Sequence, residues 1–258
     1  MSFAPFEING NIPLEVAGSV SAVVFGDDKT FAYYFNIEDE NLVGKCYKTS
    51  KYTLLHVLIE IVCTHSFSDI MESEEDLLAA NIMKSWMDSI SVDYSDIPEP
   101  TSDDLHKCQK YADSIQKRFG ENAIKTIAEA TFIILYNNKD FLFKFNQRVT
   151  EQIKKLKKKD HPEYLEEDGK VKRYSPPTWL KEGVAFRDHG RCQECGTDLT
   201  AIFHNGNSTN LDHIIPLNQG GSNDPTNFQI MCEHCNKSKS DRSFAYRNTV
   251  IPFWKPEG

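Results

Sequence analysis

Cys192-Gln-Glu-Cys195 and Cys232-Glu-His-Cys235 bracket a stretch that contains Leu211-Asp212-His213-Ile214-Ile215-Pro216 and Asn227. A tetrahedral zinc site takes four thiolate or imidazole ligands, and a CxxC turn brings two thiolates to one ion while a second turn supplies the other two. The spacing therefore predicts a structural Zn²⁺ held by Cys192, Cys195, Cys232 and Cys235. Between the pairs lie 36 residues, more than a simple zinc ribbon carries, so the intervening loop has further content.

Two disulfides are the alternative for these four cysteines. The first nine residues hold no basic region followed by an apolar one, so no secretory signal is expected. Disulfides seldom persist in a reducing compartment. No apolar run reaches the length that spans a bilayer; His56 and Glu60 interrupt the 54–63 run. The expectation is a cytoplasmic chain without a membrane partner. Cys46, Cys63 and Cys108 lack ligand spacing and read as ordinary thiols.

The loop's content is Asp212-His213. Hydrolysis of a phosphodiester needs a base that takes a proton from water and a cation that offsets charge on the phosphoryl and leaving oxygens. Adjacent Asp and His supply an oxygen ligand and an imidazole base. Neighbouring side chains of a strand point to opposite faces, so both serve one site only where the strand ends, and Pro216 followed by the polar turn 218–225 predicts that end. Residues 227–232 then read as a second short strand, and 233–242 as a short helix with Asn236 in its first turn.

These segments, from Arg187-Asp188-His189-Gly190-Arg191-Cys192 through Asp212-His213 and Gly220-Gly221 to Asn227 and Cys235-Asn236-Lys237-Ser-Lys239, resemble the zinc-containing HNH endonuclease family over residues 179–245. The resemblance implies a ββα-metal fold around one divalent ion. It also implies a catalytic set of His213 as general base with Asn227, which ties the loop and orients His213. Asp212 and Asn236 become ligands of the catalytic ion. Asn236 stands where the family usually has His, and oxygen donors favour Mg²⁺ or Mn²⁺. His234, inside the second CxxC, reads as a surface or phosphate-contacting residue, and His189 and His204 as surface residues. Lys237, Lys239 and Arg242 are candidate nucleic-acid contacts, the alternative being a solvated helix end.

Charge divides the chain. Residues 1–106 hold 5 Lys and Arg against 19 Asp and Glu, whereas residues 107–258 hold 24 against 19. DNA is therefore expected at the C-terminal half, with Lys154-Lys155-Leu156-Lys157-Lys158-Lys159 as its densest basic run. The acidic half is expected to meet a protein partner or a second copy of the chain.

The fold class expected is α+β: a mostly helical N-terminal domain with a small β-sheet, then a C-terminal ββα-metal HNH domain with a four-cysteine zinc knuckle. The divisions drawn are 1–160 for an acidic regulatory or interaction domain, 161–178 for a Pro- and Gly-containing linker, and 179–258 for the nuclease domain. Residues 21–26 and 30–36 read as a β-hairpin, with extended pieces at 3–8 and 12–16. Helical periodicity follows over 54–63, from 73 through Met87, over 101–119 closed by Gly120, over 121–136 and over 140–159. Residues 179–189 predict a short helix leading into Cys192. The leading functional expectation is a metal-dependent endonuclease acting on DNA. By analogy with bacterial HNH proteins it is a restriction or anti-phage effector. The alternatives are a catalytically silent zinc module that binds nucleic acid or protein, and a nuclease subunit active only with a partner.

Overall fold

The computed structural model describes residues 11–73, 76–100, 104–201 and 210–239. They form two compact units, one of Met1–Phe35 with Leu55–Leu135 and one of Asn36–Leu54 with Tyr136–Gly258. No described helix is long and apolar enough to cross a membrane.

The first unit is helical throughout its described residues. Helices α1 (Ile12–Phe25) and α2 (Asp28–Tyr34) occupy the stretch expected to be a hairpin. The Val-rich run 20–24 has strand propensity, but its buried positions, Val16, Val20, Val23 and Val24, recur at three- and four-residue intervals, and that period decides. Asp27 then caps α2, its carboxylate accepting from Thr30 N at 2.7 Å. Residues 12–16 are helical too, and 3–8 lie outside the described residues.

Helix α3 (Glu40–Tyr47), capped by Asp39, belongs to the second unit. Helix α4 (Leu54–Ser73) returns to the first, followed by α5 (Asp76–Ser89) and α6 (Leu105–Arg118), whose cap Asp104 accepts from His106 N and Lys107 N. Gly120 does not end α6. A single π-helical turn over Phe119–Ala123 carries the chain straight into α7 (Ile124–Tyr136), so the break expected there is a bulge inside one long helical run. The core of this unit is aliphatic and aromatic, with Leu55, Leu58, Ile59, Met83, Ile115 and Phe119 fully buried and Phe119 stacked on Phe67 at 5.1 Å.

In the second unit, α8 (Lys139–Ile153) is followed by the hairpin β1 (Leu165–Glu167) and β2 (Lys170–Val171), then α9 (Thr178–Arg187). Strands β3 (Asn210–His213) and β4 (Phe228–Met231) pair antiparallel, and α10 (Glu233–Lys239) completes a ββα arrangement. Leu180, Val184, Leu199, Phe228 and Ile230 form the apolar cluster that seats these elements together with Cys192 and Cys235.

The partition drawn from composition does not follow these units. Residues 36–54 and α8 lie with the cysteines because their polar groups close the 222–227 turn. Asn146 Nδ2 on α8 donates to Thr226 O at 3.0 Å, and Leu54 N donates to Asp224 Oδ2 at 2.8 Å. The stretch read as a linker, 161–178, contains β1, β2 and the start of α9.

Candidate active site

The four cysteine sulfurs all lie within 4.8 Å of one another, and Cys195 Sγ is 3.8 Å from Cys232 Sγ. Four thiolates at about 2.3 Å from one zinc ion stand about 3.8 Å apart, so the cluster has the size of a tetrahedral zinc site. The backbone sets it up. Gly196 N donates to Cys192 O, Cys192 N to Thr197 O, and Cys235 N faces Cys232 Sγ at 3.4 Å. Hydrogen bonding from Thr197, whose Oγ1 lies 3.0 Å from the sulfur, pulls the Cys195 thiol down to about 6, which favours the thiolate that binds metal.

The knuckle is tied to β4 by charge as well as packing. Asp188, buried, accepts from Ile230 N at 2.9 Å and from Arg187 Nε at 2.8 Å, and also pairs with Lys139. Burial pushes the Asp188 carboxyl up, yet Arg187 and Lys139 hold it below the usual carboxylate range. Burial and the Arg187 charge bring Lys139 down to about 7. Arg187 Nη2 reaches Phe228 O at 2.5 Å and the guanidinium stacks over Tyr136. The start of β4 is thereby fixed opposite the end of β3.

Strand β3 ends at His213, as Pro216 and the turn predict, and Asp212 and His213 therefore open onto one hollow. Its volume is about 240 Å³ and it is lined by Arg173, Leu211, Asp212, His213, Pro216, Leu217 and Asn236. Asp212 pairs with Gln229 across the ladder and His213 with Phe228, on whose ring the imidazole rests at 4.4 Å. Three residues expected in the site, Asp212, His213 and Asn236, thus meet at one cavity.

Residues 192–242 match the family model of the HNH endonucleases. No curated protein and no solved structure matched the chain. The matched segment holds the cysteine cluster and every lining residue of the His213 hollow except Arg173, while residues before Cys192 carry no family match.

Within this HNH domain, the loop between β3 and β4 is closed by Asn227, which is fully buried. Its Oδ1 accepts from Ile215 N at 2.9 Å, and its Nδ2 donates to Ile215 O at 3.0 Å and Ser222 O at 2.9 Å. Grouped with His213 in the expected catalytic set, Asn227 is placed where no substrate reaches it, and it holds the loop. Gly221 is required there. A Cβ at this position would stand 1.9 Å from Ile215 O.

Asn223, read only as part of a polar turn, is the neighbour of the His213 ring. Its backbone N donates to Cys46 O at 2.8 Å, and its Nδ2 donates to Tyr47 O at 2.9 Å and Lys172 O at 2.8 Å. With both amide protons engaged by carbonyls, Oδ1 is the atom that faces His213 Nε2 at 3.2 Å. The imidazole therefore carries its proton on Nε2, and Nδ1 keeps the lone pair. Burial, aided by the Arg173 charge and opposed by the Asn223 hydrogen bond, lowers the His213 pKa to about 4. The ring is neutral at pH 7.

Lys239 departs from expectation. Instead of facing solvent it is buried, its Nζ 2.5 Å from Asp212 Oδ2 and 2.6 Å from His213 O. The 233–239 helix turns this residue toward β3, where the ammonium pins the Asp-His backbone. Lys237 is exposed and pairs with Glu233 at 2.5 Å. His189 and His234 are exposed, as read from sequence, and Arg242 and His204 lie outside the described residues. Arg173 was missed because it sits in the supposed linker. No local pattern marks it, or Asn223, as part of the site.

Proposed function

We propose that the protein is an endonuclease that hydrolyses DNA phosphodiester bonds with one divalent cation, His213 serving as general base. The observation that carries this reading is the His213 imidazole, its Nε2 engaged by Asn223 Oδ1, in the same hollow as an aspartate, an asparagine amide and an arginine.

The donor set fits a hard cation. Both hydrogen bonds to the Asp212 carboxylate, from Lys239 and from Gln229 Nε2 at 3.1 Å, fall on Oδ2, and Oδ1 accepts none among the described residues. Asp212 Oδ1 and the Asn236 amide oxygen would hold Mg²⁺ or Mn²⁺, which prefer such oxygens. When bound, the cation offsets negative charge on the phosphoryl and departing 3′ oxygens. His213 Nδ1 takes the proton from the attacking water while Asn223 Oδ1 fixes the ring and stabilises the imidazolium that results. Arg173, at the rim, meets the phosphate's charge with a planar fork of donors. Attack at phosphorus expels the 3′ oxygen and leaves 5′-phosphate and 3′-hydroxyl ends.

The test is conversion of supercoiled plasmid to nicked and linear forms with Mg²⁺ or Mn²⁺. Removing a general base costs about 10² to 10⁴ in rate, so His213→Ala is expected to fall by that factor while still folding cooperatively, and EDTA is expected to stop the wild type. Equal cutting by His213→Ala would overturn the assignment. Absence of cutting by the wild type with either metal would favour a zinc-binding module without catalysis.

A further inference from the structure

We propose that a trough beside the His213 hollow is a second phosphate subsite, which holds the nucleotide adjoining the cut and continues along the basic run 154–159. This rests on the nucleic-acid reading of the hollow. The trough has a volume of about 200 Å³ and is lined by Glu166, Lys170, Val171, Arg173, Leu217 and Asn218. Arg173 and Leu217 line both hollows. The two therefore adjoin across one arginine, and a chain of phosphodiesters leaving the first enters the second past its guanidinium.

The charges on this surface are arranged for an anion. Lys170 is shared by Glu166 and Glu167 at 3.1 and 3.3 Å, and Lys157 pairs with Asp168 at 3.2 Å, so these two cations offset all but one of the three acidic charges. Arg173, Lys154, Lys155, Lys158 and Lys159 make no ion pair among the described residues. Residues 154–173 hold eight Lys or Arg against five Asp or Glu, the remaining acids being Asp160 and Glu163.

The basic run is fixed against the same hairpin. Gly169 N donates to Leu156 O at 3.0 Å and Lys158 N to Asp168 Oδ1 at 2.9 Å. Lys154 packs against the turn that follows Leu217: its Cγ lies 3.2 Å from where a Cβ on Gly220 would stand. Val171 and Leu217 give the trough an apolar floor for a sugar or base face, and the cations take the backbone.

The experiment is fluorescence anisotropy of the full chain, purified with its zinc, with a labelled 20-nucleotide single strand and the matching duplex, without added Mg²⁺ or Mn²⁺ to prevent cutting, over a salt series. Arg173→Gln is expected to weaken binding about tenfold and to lower the slope of log affinity against log salt by about one, and Lys155→Glu with Lys158→Glu by about two or more. Thermal unfolding of each variant checks that it is folded. Wild-type affinity and slope in both variants, or no binding by the wild type, would overturn the subsite. A separate arm measures metal-dependent hydrolysis of bis(p-nitrophenyl) phosphate by the wild type, a diester too short to reach the trough. Hydrolysis alongside unaltered DNA binding in the variants sinks the subsite and leaves the chemistry. Lost binding in the variants without wild-type hydrolysis supports the subsite and sinks the chemistry.

Discussion

The two units keep their interiors by different means. The first buries Leu55, Leu58, Ile59, Met83, Ile115 and Phe119, side chains that need only volume and shape. The second buries Asp188, His213, Asn223, Asp224, Thr226, Asn227 and Gln229, each with a partner across the 222–227 turn or the β3–β4 pair. Apolar interiors accept substitution by other apolar residues of similar bulk, whereas a buried polar group that loses its partner keeps its full desolvation cost. The same polar network that holds His213 in one tautomer makes its unit intolerant of change.

The largest expected effect comes from the metal. Structural zinc contributes about 10 kcal/mol or more of apparent folding free energy in small zinc domains, so Cys232→Ser should drop bound zinc from one per chain to near zero and unfold the β3–β4–α10 region. Elemental analysis and hydrogen exchange read both, and protection of α4–α7 should persist. Loss of protection in both units would break the contrast.

Next, Asn227→Leu keeps the size of the side chain but strands Ile215 N, Ile215 O and Ser222 O. At about 1 to 3 kcal/mol for each unsatisfied group, with partial relaxation, the cost should be about 4 kcal/mol in urea unfolding. Acid comes third. The His213 pKa is depressed from the usual range to about 4, so the unfolded chain binds the extra proton between those values. The contribution is present above pH 6.5 and lost as pH falls toward 4, about 3 kcal/mol in all. Urea unfolding at pH 7 and pH 4.5 should show most of that loss, and His213→Gln should remove it. The smallest effect belongs to the first unit: Leu58→Met, an apolar swap of equal bulk, should cost less than about 1.5 kcal/mol. If it costs as much as Asn227→Leu, the distinction between the two interiors fails.

Legibility in the sequence followed the same divide. The cysteine cluster, the end of β3 at His213 and the ββα order were readable because metal-ligand spacing and turn chemistry are local. The helices of α4, α5 and α7 were readable from apolar period. The supposed hairpin at 21–36 failed because β-branched content was weighed above the three-four spacing of Val16, Val20, Val23 and Val24. Asn223, Arg173 and the inward turn of Lys239 were not readable. Their roles depend on partners such as Tyr47, 176 residues from Asn223, and no short window holds both ends of such a bond.

Those distant bonds set an order of events at the ribosome. Thr49 Oγ1, Cys46 O and Tyr47 O are held by residue 223, and synthesis at about 5 to 20 residues per second separates the two segments by about 10 to 30 s. During that interval α3 waits while residues 55–135 emerge. The hydrogen-bonding frame around His213 closes only after residue 223 has emerged, so a polypeptide stopped before that point lacks the group that orients the imidazole.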